Sequence, residues 1–426
     1  MSDDALRRRT PLLLAVPFLI GIAVLRGLTV EIDTFHGSDA DVYQLPTILQ
    51  FRHGLHFSDY PSAQTPLFHL VMAGWGKLVG FDLWRLRLLN VAISYGAALA
   101  LLRLLRRTTS LGEPAAFALT LAFALSPYFF GASFTLLTDN LAILFALLAL
   151  ERIHRYSQDG SLGAFAVACL CSGAAVLTRQ SFLWVALVAA AFLALREWRS
   201  PARLCAGGAL LALSLAPLAA LAIEWNGLVP PSADPLSCGL CTDKPGVGRD
   251  SLTLRTIGFT LAVLGGYALV VLGPGLARRA RTLTLPRSLV LAGVAVGVAL
   301  LLISPLEYRP VGVNPGDAGY LWQLSKHLPT LLGSSLLFWA AVPLGAVAAA
   351  LLARRAGWTS LASVYLGCFL AVALPVALVY QKYFDPFALL AVALFARPPD
   401  FREPRDYAGV ALVCAGSVAY ALSFAG

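Results

Sequence analysis

The sequence predicts an all-α polytopic membrane protein, on three observations. Of its 426 residues, 58% are hydrophobic and only 13% are charged, against about 25% charged in soluble domains. Apolar runs recur along the whole length, many approaching the ~20 residues that carry a helix across a bilayer. Lys and Arg concentrate in alternate loops between these runs. Hydrocarbon offers the backbone no hydrogen bonds, so each run must satisfy its own amides, and a helix does so.

The elements follow in order. Arg7, Arg8 and Arg9 precede "PLLLAVPFLIGIAVL". No small-x-small cleavage site with a soluble domain follows, so this run reads as an uncleaved first span, 11–28. Further spans are expected at 88–102, 114–131, 139–151, 161–177, 181–195, 203–223, 256–275, 288–304, 330–352, 359–379, 386–397 and 407–424. That makes about 13 transmembrane helices in a single domain, 1–426. The stretch "PLFHLVMAGWGKLVG" (66–80) is short, and counting it would break the alternation of sides. It reads as a helix lying at the outer surface.

The net charge of +9 would point to nucleic acid in a soluble chain; here topology accounts for it. With the N-terminus inside, the inner loops include "RLLRR", "ERIHRYSQDG", "REWRSPAR", "ARRARTLTLPR", "ARRAGW" and "ARPPDFREPRDY". These and the N-terminal arginines hold 20 of the 32 Lys and Arg residues, whereas the whole inner side, with Asp3, Asp4 and Glu113 included, holds only 9 of the 23 acids. Basic residues in short loops are the signature of the inner side.

Polar residues collect outside, in three long segments, 29–87, 224–255 and 305–329. Such loops are expected to carry short interfacial helices and the function. Five cysteines lie in apolar runs, where packing accounts for them. Cys238 and Cys241 form "CGLC" in the second outer segment. No second CxxC and no nearby His complete a zinc site, so a local disulfide is the reading.

The first outer segment holds "FHGSDADVYQLP". From Val42 the spacing is helical, so Ser38 or Asp39 would cap a helix, with acid at its positive end, worth about 1 kcal/mol. Capping accounts for one aspartate. It leaves Asp41, and the neighbouring His36, Tyr43, His53, His56 and Asp59. A carboxylate can take the proton of an acceptor hydroxyl as that hydroxyl attacks an activated carbon. When the leaving group is a phosphate, the protein must supply a cation for the developing charge. Arg179 in "LTRQSFLW", Lys382 in "YQKYFDPF", and Lys326 beside His327 in "LWQLSKHLP" are such cations. Charges at span ends also serve as interface anchors. Arg179 and Lys382 stand out because they sit in short outer turns, against the charge rule.

In order along the chain, these motifs resemble the GT-C membrane glycosyltransferases. They are most similar to the dolichyl-phosphate-glucose-dependent α-1,2-glucosyltransferases of lipid-linked oligosaccharide synthesis. "ADVYQLP" (40–46) is similar to that family's Asp-Glu-x-Phe-His-x-Pro, "QTPLFHL" to its Thr-Pro-Pro segment, and "LTDNLAILFALL" to its Tyr-Thr-Asp segment. "TRQSFLW", "EWNGLVPP", "DAGYLWQLSKH" and "QKYFDPF" resemble the later motifs. Three departures stand out: Ala40 where the family has Asp, Ala318 and Gly319 where it has Arg-His, and Lys382 where it has Arg.

The resemblance implies a GT-C fold and an inverting transfer of a hexose, glucose first, from a polyprenyl-phosphate-sugar to a glycan or lipid-linked acceptor. Asp39 or Asp41 would be the base. Arg179, Lys382 and Lys326 would hold the donor phosphate. Tyr43, His36, Asp139, Gln180, His327 and Tyr383 would contact donor or acceptor. No cofactor is required, although the two aspartates could hold a divalent ion. The partners are the donor, the acceptor and membrane lipid, with no nucleic acid. Alanine- and arginine-rich usage and short loops point to a bacterial plasma membrane, with the site on its periplasmic side. Transfer of arabinose, mannose or an aminosugar onto cell-wall glycan, lipid or protein is the nearest alternative. A transporter or flippase of a lipid-linked sugar is the alternative of another class, although it would place charges in mid-span.

Overall fold

The computed structural model describes residues 3–27, 40–233, 254–279, 286–307, 319–374 and 379–423. It is built of helices, with one two-residue antiparallel hairpin pairing Thr330–Leu331 with Ser334–Ser335 among the described residues. The chain divides into two compact units, Met1–Thr108 with Phe129–Cys241, and Thr109–Tyr128 with Thr242–Gly426.

The first unit holds α1 (Asp3–Gly27), a π-helical turn Ala40–Gln44, α2 (Leu45–His53), α3 (Leu67–Val79) and α4 (Leu83–Thr108). After α5 (Glu113–Leu125) and α6 (Pro127–Phe134), it continues with α7 (Asp139–Asp159), α8 (Leu162–Thr178), α9 (Leu183–Glu197) and α10 (Pro201–Glu224). Local chemistry sets the boundaries. Pro127 opens α6, where its missing N–H costs nothing. Gly160 ends α7 at φ +69°, a conformation that favours glycine. The Ser161 side chain then accepts the Ala164 N–H and starts α8. At Gly173 an added Cβ would lie 2.4 Å from the Ser214 carbonyl oxygen, so α8 and α10 meet backbone to backbone through a small residue.

The loops that alternation assigns to one side meet at one end of this unit. Arg103 and Arg107 both pair with the buried Glu151. The Tyr156 hydroxyl donates to Glu197 at 3.0 Å, and Arg203 pairs with the same carboxylate at 3.3 Å. At the other end, the Trp225 indole donates to Phe57 O at 2.7 Å, and the Thr65 hydroxyl donates to Val176 O at 2.7 Å. A small apolar cluster there (Ile48, Phe51, Tyr60, Phe68, Met72 and Trp225) lies under the first outer segment.

The second unit holds α5, then α11 (Arg255–Tyr267), a π-helical turn, α12 (Gly273–Arg278), α13 (Arg287–Ile303) and α14 (Tyr320–Lys326). It ends with α15 (Leu336–Ala356), α16 (Leu361–Ala373), α17 (Asp385–Phe395) and α18 (Ala408–Ser423). A Cβ on Gly345 would lie 1.8 Å from Leu261 O, so α11 and α15 cross at contact distance. Here too the basic loops gather. Asp400 is fully buried and accepts from Arg279, from Arg355 at 2.9 Å and from the Arg397 N–H at 2.9 Å. Asp406, also fully buried, accepts from Arg278 at 2.8 Å and 3.1 Å.

Each of the thirteen expected stretches contains a helix, and 67–79 forms the additional helix. Among the described residues, five helical stretches are long and apolar enough to cross a membrane alone, or six if α5 and α6 make one broken span. The rest are shorter or more charged. Two expected spans differ: 114–131 is broken at Ser126, where α5 and α6 meet at a 62° bend, and 330–335 forms the hairpin rather than the start of a span, because Gly333 at φ +79° turns the chain. Lipid accounts for the exposed apolar faces. The best apolar window of α10 is only 6% buried, and Leu213 and Ile223 on that helix stand outward.

Candidate functional site

In the first unit, one end brings the acidic segment to the helix break that carries Arg179. The π-helical turn Ala40–Gln44 includes Asp41 and Tyr43. Pro46, two residues on, has no N–H to give to the carbonyl four residues back, which loosens the local ladder and lets the wider turn form. Tyr43 is half-buried, and its carbonyl accepts the Thr47 hydroxyl at 2.7 Å. The Gln44 side chain turns inward. Its Oε1 lies 2.6 Å from His69 Nε2 and accepts from the Ser62 hydroxyl at 3.2 Å. His69 is fully buried, and burial pushes its imidazole down to about 3, so it is neutral at ordinary pH. With no charge there, the Nε2–H donor fits the Gln44 oxygen.

Next to Ser62 the chain reaches across. Gln180 Nε2 donates to Ala63 O at 2.7 Å and to Leu228 O at 2.9 Å. One amide thereby ties the first outer segment, the α8–α9 break and the segment after α10. Asp59 reinforces the tie by accepting the Ser232 N–H at 2.9 Å. The neighbour of Gln180, Arg179, lies at the end of α8 in an extended conformation. Its Nη1 donates to Asp139 at 2.6 Å. The two side chains are 11% and 27% exposed, so the pair is shielded yet reachable from one side. Asp139 opens α7, where a carboxylate is favoured by the helix dipole. Below it the fully buried Asn140 donates to Ser94, to Ser133 and to the Phe129 carbonyl, fixing that helix start.

The predicted residues therefore fall into groups. Asp139, Arg179 and Gln180 come together in the first unit, with the Asp41–Tyr43 turn linked to them through Gln44, Ser62 and Ala63. Asp39 and His36, with Cys238 and Cys241, lie outside the described residues, as does the Asp41 side chain. Lys382, Tyr383, Lys326 and His327 belong to the second unit. There the Lys382 ammonium sits 5.4 Å from the centre of the Tyr383 ring and 5.8 Å from that of Tyr380. Lys326 donates to Gln323 at 3.0 Å, and His327 is exposed.

Sequence reasoning missed Asp385. It is fully buried at the start of α17 and accepts from Tyr267 at 2.6 Å, from Tyr320, and from Gln381 Nε2 at 2.9 Å. Gln381 Oε1 in turn accepts the Leu321 N–H at 2.9 Å. At Gly319, φ is +112° and a Cβ would lie 2.4 Å from that of Gln381, so only glycine lets α14 close on the Lys382 turn. In the sequence, "FDPF" reads as an ordinary helix start and Tyr267 as part of an apolar run. Only the fold reveals the pairing. His69 was hidden likewise, inside an apolar stretch.

Among the described residues, no group of three or more His, Cys, Asp or Glu is placed to hold a metal ion.

Fold and span composition thus define the class: an all-helical, polytopic membrane protein. Within it, residues 63–223 match the family model described as dolichyl-phosphate-mannose-protein mannosyltransferase. The match begins in the first outer segment and includes Asp139, Arg179 and Gln180, but neither Asp39 nor Asp41. Among solved structures, the chain is similar to ArnT from Cupriavidus metallidurans in the apo state. Identity is 14% and the TM-score 0.35, over 89% of this chain and 77% of that one. Comparison with curated proteins gives no match.

Proposed function

We propose that this chain is an inverting GT-C-type glycosyltransferase of a bacterial plasma membrane. It moves a hexose, with glucose the first choice, from a polyprenyl-phosphate-sugar to a glycan or lipid-linked acceptor on the outer face. The reading rests on one observation: Gln180 ties the acidic outer segment to the shielded Arg179–Asp139 pair. The tie supports the reading because a phosphate-leaving transfer needs a carboxylate and a cation, and the segment that carries Asp39 and Asp41 is joined to the helix break that carries Arg179. The family match over 63–223 supports the same chemistry.

In the proposed reaction, Asp39 or Asp41 takes the proton of the acceptor hydroxyl. The acceptor oxygen bonds to the anomeric carbon as the carbon–oxygen bond to phosphate breaks. Polyprenyl phosphate leaves with the electron pair, and the anomeric configuration inverts. Arg179, oriented by Asp139, steadies the phosphate charge. Lys382 and Lys326 are the second unit's candidates for the same task, with Tyr43, Gln180, Tyr383, His36 and His327 proposed on donor or acceptor. No cofactor enters these steps.

The family description names mannose, so mannosyl transfer is the second reading of the sugar. Incubating the purified protein with a panel of polyprenyl-phosphate sugars and following consumption of each tests both readings. Consumption of one sugar, lost in the Asp39→Ala/Asp41→Ala double variant with unchanged thermal unfolding, is the expected result. Consumption retained by that variant removes the catalytic assignment.

A further inference from the structure

The second unit carries a feature that the transferase reading does not use. An open groove of about 710 Å³ runs between α5 and α18. Phe117 and Leu121 line it from α5, and Tyr407, just before α18, lines it with Ala411, Ala415 and Ala419 on that helix. The four-residue spacing on α18 makes one stripe along the helix. From Tyr407 to Ala419 is twelve residues, or about 18 Å at 1.5 Å per residue. That is close to the depth of one leaflet of a ~30 Å hydrocarbon core. The walls are apolar along the whole stripe, as an acyl chain requires.

One end of the groove, at Tyr407, adjoins a charged segment. The Tyr407 ring packs at 5.3 Å on that of Phe401, the residue before Arg402. This is the segment held down by the buried Asp400 and Asp406. Arg278, Arg279, Arg355, Arg397, Arg402 and Arg405 meet Asp400, Glu403 and Asp406 here, six cations to three acids. The two buried aspartates occupy the inner arginines, Arg278, Arg279 and Arg355. The remaining arginines are exposed: Arg402 donates its backbone N–H to Asp406 at 2.9 Å, and Arg405 pairs with the half-exposed Glu403 at 2.7 Å. The inner ion pairs hold this rim in place before any ligand arrives, so little ordering is left for binding to do.

A leaflet-deep apolar groove whose Tyr407 end adjoins a segment with more arginines than acids matches a lipid with one chain along the wall and an anionic headgroup at the rim. We infer that the α5–α18 groove binds an anionic phospholipid, its acyl chain along Ala411, Ala415 and Ala419 and its phosphate at Arg402 and Arg405.

Native mass spectrometry of the full chain in detergent, titrated with phosphatidylglycerol and with phosphatidylcholine of the same chains, tests this. Phosphatidylglycerol should be retained more tightly. A surface arginine is worth about 1 kcal/mol toward an anionic headgroup, about fivefold in affinity. Arg402→Gln should therefore lose about fivefold for phosphatidylglycerol, and Arg402→Gln/Arg405→Gln about 25-fold, with phosphatidylcholine binding unchanged. Ala415→Trp fills the groove from an exposed position and should weaken binding of both lipids. Equal retention of the two lipids by the unaltered protein overturns the inference. So does undiminished phosphatidylglycerol binding by Ala415→Trp, which would reduce the rim to diffuse charge and leave the groove to a protein segment.

Discussion

Replacing Arg179 by Gln removes the charge and keeps most of the side-chain volume. Its partner Asp139 lies 2.6 Å away, and the two side chains are 11% and 27% exposed. A hydrogen bond to a charged group contributes about 1.5–3 kcal/mol when well shielded. Partial exposure of Asp139 brings this toward about 1–2 kcal/mol. Arg179→Gln and Asp139→Asn should each lower stability by about that amount, and the double variant should cost scarcely more than either single one. The coupling in a double-mutant cycle is then about 1–2 kcal/mol, read by thermal or denaturant unfolding in detergent. On activity the two should part. Losing a preorganised cation at a developing phosphate charge costs about 100- to 1,000-fold in rate. Asp139→Asn keeps the cation but loosens its aim, for a loss of about tenfold. Donor consumption under single-turnover conditions separates these effects from acceptor binding. A rate for Arg179→Gln within about threefold of the unaltered protein refutes the phosphate role, and strict additivity in unfolding refutes the pair.

Two further outcomes follow from the fold. Gly345→Val places a Cβ 1.8 Å from Leu261 O, a backbone atom that cannot swing aside. Helices α11 and α15 must separate, and overpacking of this kind costs about 1–3 kcal/mol, seen as a lower unfolding midpoint; an unchanged midpoint would show that the helices do not cross there. His69 is neutral and fully buried, with its pKa at about 3, below the unfolded value of about 6.5. Its contribution is complete above pH ~6.5 and is lost as pH falls from there toward 3, reaching about 2 kcal/mol at pH 5. His69→Gln should therefore lose less stability than the unaltered protein between pH 7.5 and pH 5, and parallel losses would contradict the buried, neutral assignment.

The helices were legible because each apolar run must satisfy its own backbone, whatever it packs against. The sidedness of loops was legible too. Glu151 with Arg103 and Arg107, and Asp400 with Arg279 and Arg355, join segments that the charge alternation alone puts on one side. What the sequence hid were polar contacts between distant segments. Nothing near Gln44 announces His69 as its partner 25 residues away, and nothing in the apolar run around Tyr267 announces Asp385, 118 residues on. The start of the hairpin at 330–335 was hidden for the opposite reason. Leu331 and Leu332 extend an apolar run, and only the positive φ of Leu332 and Gly333 breaks the helix there.

The buried carboxylates fall into two kinds, and the difference bears on where charge is available. At the basic ends, Glu151, Asp400 and Asp406 each take arginines as partners, so acid and base cancel and the loops are held without net buried charge. Asp385 is different. Its donors are two tyrosine hydroxyls and one amide, all neutral, although Lys382 stands three residues away in the same turn. Lys382 lies against the rings of Tyr380 and Tyr383, whose faces attract a cation. The turn is thus held to α11 through the Tyr267 hydroxyl and to α14 through Gln381 and Tyr320, by groups that carry no charge.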